Sequence, residues 1–344
     1  MRNWTRCWAV NSPRLPLVPL LLVLGGVTLA LALVSLRLGA VPLGWREIAQ
    51  ALAGEAPQRA ELVIWSIRLP RIAAALLAGA ALAVAGAGFQ ILFRNPLVSP
   101  DILGVSSGAA LGAVAGIFLA LPAAAIQGAG FAGGLAAVAL VALMARILRG
   151  PAADRGLSLV LTGIVISALA GALVSLLKLM ADPYQQLPAI TFWLLGSLAA
   201  AGWRELALAA PPILAGLALV LALRWRIELL ALPEDEARSL GLATGPLRAA
   251  VILAATLMVA SVVALAGVIG WIGLVVPHMA RGLAGASAPR MLPVAALAGA
   301  GFMLAVDTAC RTIAPVEVPL GVLTAIIGAP LFLWLLARRG AGWA

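Results

Sequence analysis

Along this chain the apolar residues neither alternate nor keep to one helical stripe; they run on. Leu15 to Leu38, Ala73 to Phe89, Ile102 to Ala120, Ala129 to Leu148 and Leu157 to Met180 are apolar with few interruptions. The pattern resumes from Leu206 to Leu223, from Pro246 to Ala266, on to His278, from Met291 to Val306 and from Leu320 to Leu336. Helices apolar on every side belong in a large core or a bilayer. Runs of about 20 residues match ~30 Å of hydrocarbon. The breaks predict ten spans. Span 2 is expected to begin near Arg68-Leu-Pro-Arg71 and to end at Arg94-Asn-Pro-Leu-Val-Ser-Pro-Asp101, where closely spaced prolines cannot continue a helix. Gly267, Gly270 and Gly273 interrupt the run that becomes span 8. Pro42 to Glu61 and Leu187 to Leu198 suit short helices at the outer surface. The many glycines and alanines predict close helix–helix approach, which drives association where lipid removes any hydrophobic advantage.

Composition makes the class definite. The chain is 63% hydrophobic and 10% charged, with a mean hydropathy of +1.10. This is an all-α polytopic membrane protein, read as a single transmembrane domain over 1–344. Ten spans put both termini on one side, and fifteen of the 23 basic residues fall there. Cytoplasmic loops collect Lys and Arg, so that side, including a short amino-terminal segment 1–14, is expected in the cytoplasm. Arg2, Arg6 and Arg14 before an apolar run also fit a signal peptide. The run is long for one, and Arg37-Leu-Gly-Ala-Val-Pro is a poor cleavage site, so it is taken as a retained first span.

The most acidic passage is Glu228-Leu-Leu-Ala-Leu-Pro-Glu-Asp-Glu-Ala-Arg-Ser-Leu-Gly241. Pro233 suits the first turn of a helix, and Glu234, Asp235 and Glu236 complement its positive end. Ala237 and Leu240 are expected to share a face, Glu234, Asp235, Glu236 and Arg238 to form the polar surface, and Gly241 to cap the end. The passage predicts a short polar helix outside the bilayer; an ordinary solvated loop is the alternative.

Catalytic chemistry is missing from the pattern. Lys178 is the only lysine and sits in an apolar span, so no Walker-type phosphate loop exists. His278 is the only histidine, which excludes paired-histidine metal sites, and it reads as a helix-end residue near the cytoplasmic interface. Cys7 and Cys310 are too few for a disulfide framework or a thiolate metal site. No basic stripe interleaved with aromatics suggests nucleic acid. Asp101, Asp182, Asp307 and Glu317 fall near span ends, leaving no evident midplane proton relay. The expectation is a non-enzymatic chain with no catalytic residue, metal or bound cofactor, moving a solute with energy from another subunit. A stand-alone carrier or channel is the runner-up, and an embedded enzyme comes third.

Several passages carry a family resemblance. They are Arg68-Leu-Pro-Arg71, Gly79-Ala-Ala-Leu-Ala-Val-Ala-Gly86, Gln90, Asn95-Pro-Leu97 and Pro100-Asp-Ile-Leu-Gly-Val-Ser-Ser-Gly-Ala109. Phe192-Trp193 with Gly196-Ser197, Glu236-Ala-Arg-Ser-Leu-Gly241 and Ala264-Leu-Ala-Gly-Val-Ile-Gly-Trp-Ile-Gly-Leu-Val-Val-Pro-His278 follow, then Glu317-Val-Pro-Leu-Gly and Gly328-Ala-Pro330. In this order they resemble the permease subunits of type II ABC importers, which take up ferric siderophores, haem and cobalamin, with molybdate-type oxyanion uptake in the same family. The resemblance implies ten spans in a multi-pass protein of the bacterial inner membrane and a homodimer around a central pathway. It also implies two cytoplasmic ATPases, which bind the ATP and Mg, and a periplasmic binding protein. It assigns Pro233 to Gly241, within cytoplasmic coupling helices at about 228–246, to the ATPase contact. Arg68, Arg71 and Arg311 are assigned to binding-protein docking at the outer face, Asn95 and Leu97 to a cytoplasmic gate. Pro233 stands where family members often have Gly.

Overall fold

The computed structural model describes residues 16–39, 41–147 and 155–339. The segment 1–14 with its three arginines, Cys7 and Arg149 lie outside the described residues, as do the side chains of Arg155, Arg338 and Arg339. Fourteen helices follow one another among the described residues. They are α1 Leu17–Arg37, α2 Trp45–Ala53, α3 Gln58–Leu92, α4 Val105–Phe118, α5 Ala123–Ile147, α6 Arg155–Met180 and α7 Gln186–Leu195. After these come α8 Trp203–Ala222, α9 Arg224–Glu228, α10 Glu234–Ser239, α11 Thr244–Ala266, α12 Ile272–Ala284, α13 Ala288–Cys310 and α14 Leu320–Arg339. Ten of them correspond to the ten expected spans. α2 and α7 are two further short helices where such helices were expected, and the acidic passage runs from Glu228, the last residue of α9, through α10.

The second span differs from expectation at its start. α3 begins at Gln58, well before Arg68, and Pro70 lies inside it rather than at its head. The backbone widens to a π-helix over Val63–Arg68, where the Leu69 N–H reaches back to the Ile64 carbonyl. A wide turn absorbs the ring and missing N–H of the proline that would otherwise break the helix.

α3, α11 and α13 form the centre. Buried residues make up 78% of the span window in α3, against 11% in α6, so α3 packs against protein while α6 presents its sides outward. Glycine makes the central contacts possible. A Cβ on Gly79 of α3 would lie 2.1 Å from the Gly299 carbonyl oxygen of α13, and one on Gly86 would lie 1.9 Å from that of Gly273. Gly108 and Gly133 bring α4 against α5 in the same way. The backbones touch, as the small-residue content predicts.

Polar contacts sort the helix termini into two ends. At one, Glu234 of α10 lies 3.6 Å from Arg248 near the start of α11, and the Glu228 carboxylate accepts a hydrogen bond from the Ala288 N–H that opens α13. At the other, the Trp65 indole donates to the Ala51 carbonyl, the Trp203 indole to that of Trp65, and Gln186 to that of Phe118. The Gly196 carbonyl there accepts the Leu320 N–H, and the Ala266 carbonyl accepts the Ser197 N–H. Successive spans therefore run in alternating directions.

Candidate functional site

At the first end the acidic passage is a helix and not a plain loop. Pro233 precedes α10 with φ −50°, Glu234, Asp235 and Glu236 occupy its first turn, and Gly241 takes the left-handed conformation at φ +80°. Ala237 is buried and anchors the turn, and its carbonyl accepts the Leu242 N–H. Asp235, Glu236, Arg238 and Ser239 are exposed. Leu240 is 64% exposed, so it does not share the buried face of Ala237: the helix ends at Ser239, and the next residue swings out. Glu234 turns inward, 2.5 Å from Arg238 and within reach of Arg248 and the Thr244 hydroxyl. This fixes the helix against the start of α11.

Nearby, α3 ends in a turn that carries the two expected gate residues. Arg94 adopts φ +49°, the Asn95 carboxamide oxygen accepts the Leu97 N–H at 2.9 Å, and Leu97 is 53% exposed. Asn95 thus shapes the turn and Leu97 projects from it. Asp101 follows as acceptor for the Ser106 hydroxyl.

At the end opposite α10 the three arginines lie close together and turn inward, each engaged by groups of this chain where a docking surface was expected. Arg68 is 3% exposed and donates to the carbonyls of Leu36, Arg37 and Val41, sealing the end of α1. Arg71 forms a two-sided fork. Its Nε lies 3.0 Å from Asp307 Oδ1, while Nη1 and Nη2 lie 3.0 and 2.6 Å from the Glu317 carboxylate oxygens. Arg311 is 3.3 Å from Asp307 Oδ2 at i, i+4 and donates to Ser35 Oγ at 2.6 Å. The reason is local crowding: α1, α3 and α13 converge there, and a buried guanidinium needs acceptors wherever it finds them. Asp307 is fully buried, and the Glu317 side chain is 31% exposed, with the Ser197 hydroxyl donating to it. Burial pushes the Glu317 carboxyl up, but hydrogen bonding and charge from Arg71 outweigh it, holding it below the usual carboxylate range.

Sequence reasoning missed three partnerships. Asp307 was visible as an i, i+4 partner for Arg311, a pair the structure contains, and Glu317 only as a span-end acid, but nothing linked either to Arg71 over more than 230 positions. Glu228 caps α13 from the acidic passage, a role that no local signal marks. His278 is buried, 2% exposed, in the middle of α12 and not at a helix end; Arg281 lies 2.9 Å from its Nδ1, and Phe332 packs edge-on at 5.4 Å. Among the described residues no group of three or more His, Cys, Asp or Glu side chains could hold a metal.

Among the described residues seven helices are long and apolar enough to cross a membrane, and α4, α12 and α14 are shorter apolar helices packed with them, which makes this a multi-pass membrane protein. Residues 27–338 match the FecCD transport family, and the chain belongs to that family of type II importer permeases. The molybdate import system permease protein MolB of Haemophilus influenzae is 41% identical over 318 residues, covering 90% of this chain and 94% of that protein. The Fe(3+) dicitrate transport system permease protein FecD of Escherichia coli is 41% identical over 318 residues, covering 91% and 97%. A solved inward-facing conformation of a metal-chelate type ABC transporter superposes with a TM-score of 0.84 at 38% identity, covering 94% of this chain and all of that one.

Proposed function

We propose that this chain is the non-catalytic translocation subunit of an ATP-driven importer, carrying an iron chelate, haem or corrinoid into the cytoplasm. It works as a homodimer around a central pathway, with both termini cytoplasmic. Separate ATPases, which hold the ATP and Mg, press on the surface formed by Pro233 to Gly241. A binding protein delivers cargo at the opposite end. The observation that carries this reading is the family match along nearly the whole chain, joined to an exposed helix held rigidly on the bundle's end. Differential pressure on such a helix biases two arrangements of the bundle. Asn95 and Leu97 serve as the inner gate, whose turn lies at the same end of the bundle.

For docking, the buried arginines imply exchange of partners. A carboxylate from the binding protein reaches Arg71 or Arg311 by taking the place of Glu317, the partly exposed acid of the cluster. The test of the whole reading is uptake by proteoliposomes holding the permease and its ATPase, with a panel of ferric siderophores, haem, cobalamin and molybdate. Accumulation of a chelate or corrinoid that needs internal ATP supports it. Uptake driven by an ion gradient without the ATPase would mean a stand-alone carrier, and molybdate uptake alone would mean an oxyanion importer.

A further inference from the structure

A cavity of about 750 Å³ opens between α3, α5, α6 and α11 at the end that bears α10. Its size is that of a ligand site. Its inner wall is apolar, with Leu135 and Val138 from α5 and Ile252 from α11, and Thr256 is at its depth. Two arginines stand at its rim, Arg146 on the last turn of α5 and Arg248 on the first turns of α11. Arg146 is exposed. The Nε of Arg248 is buried without a hydrogen-bond partner, and its Nη1 makes only a long contact, 3.6 Å, with Glu234.

From these features we infer that the groove is a binding site for one anionic phospholipid, its acyl chain along the helices and its phosphate between Arg146 and Arg248. Three observations carry this. First, the length fits. At 1.5 Å per residue, Arg146 to Leu135 spans roughly 16 Å and Arg248 to Thr256 roughly 12 Å, near half of the ~30 Å hydrocarbon core. Second, the lining residue Leu253 is more than half exposed, as are Leu143 and Leu157, the chain neighbours of the lining residues Ala142 and Gly156. Such side chains suit hydrocarbon, whereas a water-facing cleft carries polar groups. Third, among the described residues the only charged ones lining the cavity are the two rim arginines, at the level where basic residues meet lipid headgroups. A zwitterionic lipid satisfies the shape but not the charge.

Arg248 is shared between this groove and Glu234 of α10. Lipid occupancy therefore competes for the cation that helps hold α10, a consequence that rests on the coupling role proposed above. The binding itself does not depend on that role.

Native mass spectrometry of the full-length permease, delipidated and titrated with phosphatidylglycerol or phosphatidylcholine of identical chains, tests the inference. One phosphatidylglycerol per protomer should bind with a preference on the order of tenfold, from two basic residues near the headgroup. Arg146→Gln should remove most of that preference. Ala142→Trp, which fills the groove without touching either arginine, should lower occupancy by both lipids. Phosphatidylglycerol with a photoreactive acyl chain should label the unmodified protein between Leu135 and Arg146. Equal binding of the two lipids, labelling confined to other helices, or displacement of the lipid by glycerol phosphate alone would overturn the site.

Discussion

At the scale of single residues the decisive group is the Arg71 guanidinium, which joins Asp307 on α13 to Glu317 on the loop before α14. Removing one partner of a buried pair leaves the other charge uncompensated, at a cost of about 3–5 kcal/mol. Asp307→Asn should therefore lower the thermal unfolding temperature of the purified permease strongly. Glu317→Gln should cost no more than about 1 kcal/mol, because partial exposure screens its pair. An Asp307→Asn variant as stable as the parent would remove the cluster from the fold's energetics. Because the Glu317 carboxyl is held below its usual range, its contribution is present above the ordinary glutamate pKa of ~4.3. It is lost as pH falls through the depressed value. The stability gap between parent and Glu317→Gln should thus close in acid, and a gap that widened there would contradict the assignment. Charge reversal at Arg71, by contrast, would place a third carboxylate beside two others and report on folding before docking.

At the scale of elements, α10 and the turn after α3 carry the predictions about transport. The Arg238–Glu234 pair is half-exposed, and exposed helix pairs contribute only about 0.3–0.5 kcal/mol. Combining Glu236→Arg with Arg238→Glu should therefore leave the permease folded while separating uptake from ATP hydrolysis. Parental uptake by that double variant would reduce α10 to a surface turn without a partner. For the gate, Leu97→Cys should react with a thiol reagent on the α10 side much faster in one nucleotide state of the assembled transporter than in the other. Equal reactivity in both states would leave Asn95 and Leu97 as nothing more than the turn that ends α3. Both tests are local, since Glu236, Arg238 and Leu97 are all exposed.

At the scale of the whole molecule, α3 and α13 form the axis on which both ends depend. α13, 23 residues or roughly 35 Å of helix, has its start at the Glu228 carboxylate and carries Asp307 in its last turn. Its contact with α3 has no room for a side chain at Gly299, where a Cβ would lie 2.3 Å from the Gly79 carbonyl oxygen. Gly299→Val should force the helices apart at a cost of at least 1–3 kcal/mol, roughly the penalty of overpacking a core. The expected readout is a lower unfolding temperature together with reduced folded yield. Unchanged values for both would mean that the helices slide without loss. Gly25, which has nothing within 4 Å of its Cβ position, is the matched control.

Hydrophobicity accumulates along the chain, so its length and breaks are local facts. That is why ten spans, the membrane class, the acidic helix and the need for glycine at helix contacts could be read from the residues alone. The antiparallel order followed as well, because each span must return through the same slab. Polar partnerships are not local. Arg71 meets Asp307 and Glu317 across more than 230 positions, and Glu228 reaches Ala288 across 60. Nothing in the composition of either partner names the other. The start of α3 escaped for a related reason: Pro70 reads as a helix breaker unless the preceding turn widens, and the packing around Val63–Arg68 decides that. His278 illustrates the limit most plainly. By position it is the end of a short apolar run, and only the neighbouring Arg281 and Phe332 make it an interior residue. The sequence determined what must lie in the bilayer, because transfer free energy sums residue by residue. The tertiary structure decided which charges lie buried together, because that depends on where the packed helices bring them.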